Sequence, residues 1–220
     1  MNFQRARSDE QREIRRASIL AVAASMLAEM PVTDISLNEL SRRVGLAKSN
    51  VMRYFESREA ILLELLDGEL RTWADDLEPS PAPRGSALDR GDALAVLLSS
   101  TMASRDVMCD LIGAQAAVLE RNISAGVALR HKRTTAVTVE RIVTVILRFL
   151  PELTHNSAYE VVVATIMTGS AAWPFSRPSE ALLRAYAEDP AIAASHISFA
   201  AALERSVQIT CSGLLARQDA

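Results

Sequence analysis

The 220-residue sequence is short of everything that staples a secreted protein or holds a metal. Its two cysteines, Cys109 and Cys211, are too few for a disulfide framework and lack the histidine company of a zinc site. The three histidines, His131, His155 and His196, fall in no metal-ligand spacing, and His131, within RHKR, reads as part of a basic solvated turn. No metal or cofactor is therefore expected. Gly-x-Gly-x-x-Gly and Gly-x-Ser-x-Gly runs are absent, and no set of serine, histidine and carboxylate is identifiable, which argues against an enzyme. No apolar run reaches the roughly 18 residues of a membrane span. The most apolar stretch, YEVVVATIMTGSAAWPF, is shorter, carries Glu160 and reads as a buried helix. The N-terminus has no apolar leader. These absences together point to a cytoplasmic protein without a membrane partner.

What is present is 49% hydrophobic composition, enough for a substantial core, and an uneven distribution of charge. The net charge is −3, but residues 1–58 hold ten Lys and Arg against seven Asp and Glu, a net +3, while residues 59–220 hold fourteen against twenty, a net −6. A basic head on an acidic body permits a nucleic-acid partner at one end only.

The periodicity is helical throughout. Apolar or small residues recur at Ile14, Ala17, Leu20, Ala21, Ala24, Leu27 and Ala28, predicting an amphipathic helix over 10–28 with Pro31 beyond its end. Ser36 and Glu39 have the spacing of a capping box, a short helix follows over about 37–44, and Gly45 supplies the left-handed turn that stops it. AKSNVMRY has room for two further turns of helix, so residues 36–54 trace a helix-turn-helix. Ser57 can cap a fourth helix, with Ile61, Leu62, Leu65, Leu66, Leu70 and Trp73 on its apolar side, running to about 77. EPSPAPRGSALDRG, residues 78–91, holds three prolines and two glycines and reads as a surface loop. Helices are predicted beyond it at about 92–103, 106–121, 125–150, 158–172 and 196–216, with a second capping box at Ser157 and Glu160 and a short helix within 174–190. The fold class is all-α, divided into a three-helix domain over 1–58 that contains the helix-turn-helix and a larger helical domain over 59–220.

The second helix of a helix-turn-helix enters the major groove, so its outer side must carry groups that bind base edges and phosphates. Here those are Lys48, Ser49, Asn50 and Arg53, with Val51 and Phe55 turned inward. Asn50 suits adenine, Arg53 suits guanine or phosphate, and Lys48 and Ser49 suit backbone oxygens. Tyr54 and Arg58 are placed to reach the same strand, Arg42 and Arg43 flank the site, and Arg5, Arg7, Arg12, Arg15 and Arg16 precede it.

Residues 35–66, ISLNELSRRVGLAKSNVMRYFESREAILLELL, resemble the signature of the TetR family of bacterial transcriptional regulators. Ser36, Leu40, Gly45, Val51, Tyr54, Phe55, Ser57 and Leu62 match that pattern, and Arg58 replaces its usual lysine. Four positions depart from it: Ser41 for alanine, Ala47 for a phosphate-binding hydroxyl, Met52 for an aromatic, and Glu56, which adds a repulsive charge near DNA, for proline. The resemblance implies DNA-contact roles for Lys48, Ser49, Asn50, Arg53, Tyr54 and Arg58, and Arg42 beside them is a further DNA-binding candidate. It also implies a homodimer whose last two long helices pair with those of a second copy, with Val162, Ile166, Gly169, Phe199, Leu203, Val207 and Leu214 as candidate contacts. Two recognition helices about 34–36 Å apart then read a palindromic double-stranded DNA operator. A small-molecule effector is the remaining implied partner, its binding releasing a repressor from DNA through the fourth helix. Methionines and aromatics adapt to apolar ligands, so Met102, Met108, Leu111, Leu119, Ile146, Met167, Trp173 and Phe175 are candidate pocket residues. Two alternatives stay open on sequence: a thiol-based redox sensor, and a ligand-binding protein that has lost DNA binding.

Overall fold

The computed structural model describes the backbone of residues 2–217 and the side chains of residues 10–217, so the Arg5 and Arg7 side chains lie outside the described residues. Helices and turns make up the described chain, and no strand occurs among those residues. Helix α1 (Asn2–Leu27), a 3₁₀ turn (Val32–Asp34), α2 (Leu37–Val44) and α3 (Lys48–Val51) form the first unit. They close around Ile19, Ala23, Met26, Ile35, Leu40, Val51 and Phe55, all buried. α1 starts eight residues before the predicted helix, because Asn2 to Asp9 continue its spiral. Ser36 caps α2 by accepting from the Glu39 amide at 3.1 Å, but the Glu39 carboxylate turns to arginines instead of back to Ser36, so only half of the expected box forms. Gly45 ends α2 at φ 73°, the left-handed conformation expected of it.

Helix α4 (Arg58–Leu77) is the spine of the molecule. Ser57 caps it through the Ala60 amide at 3.1 Å, its first turns pack on α1, and its remainder packs on α5 (Ala87–Ala103), α6 (Asp106–Ala114) and α7 (Ala125–Phe149). Trp73 is fully buried, and its Nε1 donates to Thr101 on α5 at 2.9 Å. The expected loop over 78–91 is shorter than its composition suggested, since Ser86 and Asp89 form a complete capping box and start α5 at Ala87. α6 does not run on to 121 as a regular helix: a π-helical segment, Gln115–Leu119, breaks it. The last long helices are α8 (His155–Ser176) and α11 (Phe199–Arg217), which lie side by side and bracket α9 (Glu180–Glu188) and α10 (Pro190–Ala193). Thr154, not the expected Ser157, caps α8 by accepting from the Ser157 amide at 3.1 Å, so the second predicted capping box is replaced by an earlier start.

The burial pattern corrects two expectations. Val162, Gly169, Phe199, Leu203 and Val207 are buried inside the protomer, where α8 and α11 pack on each other and on α5, and only Ile166 and Leu214 keep part of their surface. Gly169 permits that packing: a Cβ there would lie 2.5 Å from Met102 Cε. The outer faces of the two helices instead carry Met167 (68% exposed), Phe175 (69%) and Ile209 (57%), with Ala171 between them. Both helices are apolar on more than one side, so periodicity alone did not distinguish the inner face from the outer one. The same ambiguity misplaced the pocket residues. Met102, Met108, Leu111, Leu119 and Ile146 are fully buried core, while Met167 and Phe175 point outward.

Candidate functional site

Three features of the chain bear on its function: an exposed polar helix, a hydrogen-bonded junction beneath it and an apolar cavity farther along α4.

α3 is a single turn held by its apolar side. Val51 and Phe55 are buried, while Lys48, Ser49, Asn50 and Arg53 are exposed together. Tyr54 is half-buried, and its carbonyl oxygen accepts from Arg16 Nη1 at 2.6 Å. Arg16 also lies 4.4 Å from the centre of the Phe55 ring and pairs with Glu64 on α4, so one side chain joins α1, α3 and α4. It is therefore a structural strut and not an outer arginine. Arg12 and Arg15, with Gln11, Asn50, Arg53 and Tyr54, line a groove of about 940 Å³ between α1 and α3. Arg42, 71% exposed, is oriented by Glu39 at 2.6 Å, while Arg43 bridges Glu39 at 2.8 Å and Glu29 at 2.7 Å. The Glu39 carboxyl is pulled down to about 2 by its hydrogen bonds from Arg42 and Arg43. Arg58 departs from the expected role. Its guanidinium donates to the Ile35 carbonyl at 2.9 Å and to Glu59 at 2.8 Å, so it fastens α4 to the turn before α2 and keeps only 21% of its side chain exposed.

Glu56, expected to repel DNA, is engaged elsewhere. Its carboxylate accepts from the Ser124 amide at 2.8 Å and from the Ser124 hydroxyl at 2.9 Å, at the N-terminus of α7. These backbone and side-chain hydrogen bonds hold its carboxyl below the ordinary carboxylate value, as a helix amino end should. The contact joins the end of the recognition segment to the larger domain, and its two partners lie 68 residues apart, beyond any local pattern. A second tie lies two turns along. His131, expected in a solvated turn, is 2% exposed within α7. Its Nδ1 lies 2.7 Å from Asp67 Oδ1 on α4, and its Nε2 lies 3.1 Å from Gln115 Nε2 in the π-helical segment. Because the Gln115 amide nitrogen can only donate, His131 Nε2 accepts and Nδ1 donates. Thr135 Oγ1 donates to the same Asp67 oxygen at 3.3 Å. The sequence signal missed here was the helical phase of His131, four residues from Val127 and seven from Thr138, both buried.

Beside this tie is a cavity of about 260 Å³ between α4, the π-helical segment, α7 and α8, lined among others by Leu70, Ile112, Gln115, Thr138, Tyr159 and Ile166. No charged side chain lines it. Of the eight expected pocket residues only Met167 borders it, at the outer edge. Trp173 faces a different, open groove of about 580 Å³ below the first domain, where its Nε1 donates to Asp110 at 2.6 Å and Arg177 lies 5.0 Å over its ring. Both cysteines are buried, and desolvation pushes each thiol up to about 12, far from the reactive range. Among the described residues no group of His, Cys, Asp and Glu is arranged to hold a metal ion, and no helix is long and apolar enough to cross a membrane.

Comparisons with known proteins agree with this geometry. Residues 19–65 match the family model of bacterial regulatory proteins, tetR family, and residues 67–218 match the tetracyclin repressor-like C-terminal domain. The HTH-type transcriptional regulator EthR of Mycobacterium tuberculosis is 42% identical over 53 residues, which is 24% of this chain and 24% of that protein. EthR of Mycolicibacterium smegmatis is 32% identical over 81 residues, 35% of this chain and 37% of that protein. The chain thus aligns with well under two thirds of the length of these curated relatives. A TetR transcriptional regulator from Rhodococcus sp. RHA1 superposes with a TM-score of 0.59 at 13% identity, over 94% of this chain and 98% of that one. FadR from Bacillus subtilis, solved in complex with stearoyl-CoA, superposes at 0.56 and 12% identity, over 90% and 98%. At those identities the likeness is one of fold.

Proposed function

The chain belongs to the TetR family of bacterial transcriptional regulators, with a helix-turn-helix DNA-binding domain, and from that premise we propose that it is a cytoplasmic repressor that binds a palindromic operator as a homodimer and is released by a small molecule. The observation that carries the reading is the joint exposure of Lys48, Ser49, Asn50 and Arg53 on a turn anchored by buried Val51 and Phe55. Asn50 and Arg53 read base edges, whereas Lys48, Ser49, Tyr54 and the Glu39-oriented Arg42 bind backbone phosphates, joined by Arg12 and Arg15 along the α1 groove. The dimer forms through the outer faces of α8 and α11, where Met167, Ala171, Phe175 and Ile209 leave an apolar surface with small residues that permit close approach. The effector binds the uncharged cavity and acts through α4, the helix that packs in both domains. It needs a higher affinity for the state that does not fit DNA, and a preference of about 1.4 kcal/mol already changes operator affinity tenfold.

The test is selection of DNA from a random library by the purified protein at physiological salt, with Asn50→Ala and Tyr54→Phe in parallel. One enriched inverted repeat, bound more weakly by both variants, is the expected result. Enrichment of no sequence would discard the operator reading and leave the larger domain as the place to look for function.

A further inference from the structure

Two of the four polar residues of the cavity also belong to the hydrogen-bonded group that ties α7 to α4. Gln115 and Thr135 both line the cavity. Gln115 Nε2 meets His131 Nε2 at 3.1 Å and Thr135 Oγ1 meets Asp67 Oδ1 at 3.3 Å, with the buried His131 ring bonded to that same Asp67 oxygen at 2.7 Å. Gln115 Nε2 also donates to Glu120 at 2.7 Å, so both of its amide hydrogens are engaged. Its carboxamide oxygen accepts from no described residue, and since no buried side-chain oxygen is left without a partner, that oxygen remains accessible. Gln115 is moreover the first residue of the π-helical segment, a backbone irregularity that sets its side chain apart from the regular α6 ladder.

The rest of the lining is aliphatic apart from Thr138 and Tyr159. A carboxylate or ammonium bound there would lose its hydration and find no countercharge, which is costly, whereas an alkyl or alicyclic body loses nothing. Resting on the reading of this cavity as the effector site, we infer that its ligand is an uncharged, largely aliphatic molecule with one hydroxyl or amide N–H, which donates to the Gln115 carboxamide oxygen. Seating the aliphatic body against Gln115 and Thr135 shifts the two side chains whose other polar contacts are His131 and Asp67, and so loosens α7 from α4. The sensing groups and the transmitting groups are the same side chains. Phosphorylated or acyl-carboxylate ligands are excluded from this cavity by the absence of any Lys or Arg in its wall.

The experiment uses three eight-carbon probes: 1-octanol, which is neutral and carries one hydroxyl donor, octanoate, which is anionic and has no donor, and octylammonium, which is cationic. Each is titrated calorimetrically into the full chain at neutral pH, and amide hydrogen exchange of residues 62–72 is followed with and without 1-octanol. The expected result is binding of 1-octanol at least tenfold tighter than either charged homologue, with faster exchange around Asp67. Gln115→Leu should weaken 1-octanol about three- to tenfold, the worth of one hydrogen bond, and abolish the change in exchange. Should that variant fail to fold, the ranking of the three probes on the unmodified chain decides. A charged probe that binds as tightly as 1-octanol would overturn the inference and leave the cavity as effector site. Binding of none of the three would overturn both.

Discussion

Replacing His131 by leucine isolates the buried tie between α7 and α4. The ring is 2% exposed and gives Asp67 its shortest hydrogen bond, 2.7 Å. After the substitution the Asp67 carboxylate, with 12% of its side chain exposed, keeps only the 3.3 Å bond from Thr135, and the Gln115 amide loses the ring nitrogen. Leucine fills much of the vacated space with apolar atoms, so the dominant loss is the unmet carboxylate, about 1–3 kcal/mol. For a chain of this length that corresponds to a melting temperature lower by roughly 2–12 °C. Thermal unfolding must be compared at one protomer concentration, because subunit association adds to apparent stability. Pairing the change with Asp67→Leu removes both members, and the double variant should then be more stable than the sum of the single losses, by about 1 kcal/mol or more. Strict additivity, or a His131→Leu melt within about 0.5 kcal/mol of the unmodified protein, would refute the tie.

Three further outcomes are expected. Gly45→Ala introduces no clash, since nothing lies within 4 Å of the new Cβ, yet it forces φ 73° on a residue with a side chain and should cost about 1–2 kcal/mol in urea unfolding; a neutral substitution would mean that the turn relaxes. Cys109 and Cys211 should resist a thiol reagent at pH 8 in the native state and react only on unfolding. Because their folded values, about 12, exceed the unfolded value of 9.0, the stabilisation from burying neutral thiols is full below pH 9 and declines as pH rises from there toward 12; prompt native labelling, or a melt that does not fall over that range, would contradict this. Glu56 has the opposite sign. Its folded value is depressed, so the stability gained from the Ser124 bonds is present above the unfolded value of 4.5 and lost as pH falls through the folded one. The melting difference between the unmodified protein and Glu56→Ala should therefore close on acidification, and a constant difference from pH 7 to pH 3 would show that the carboxylate does not act through its charge.

The local features were legible because they are written in short windows. The cap at Ser36, the left-handed Gly45, the cap at Ser57 and the apolar repeat of α4 each depend on residues within a few positions of one another. The same holds for the exposed polar run from Lys48 to Arg53, whose alternation with Val51 and Phe55 leaves only one face for the core. Thr154 was missed because Ser157 and Glu160 offered a competing cap signal three residues later, and the π-helical turn at Gln115 has no propensity signature at all.

Other assignments depended on partners distant in the chain. Glu56 reads from sequence as a charge near DNA because Ser124 is 68 residues away, and Arg58 as a phosphate ligand because Ile35, whose carbonyl it binds, is 23 residues back. The basic neighbours of His131 suggest a solvated position, whereas its ring turns toward Asp67 on another helix.

By itself the sequence determined the helical periods, the caps and the polar composition of the recognition turn, since those are properties of backbone geometry over one or two turns. Only the tertiary structure decided which apolar face of α8 and α11 looks inward, where the cavity opens, and which charges are spent holding α4 to its neighbours. A helix with two apolar faces has no preferred orientation until other helices cover one of them, and a charge has no assigned role until packing supplies or withholds its partner.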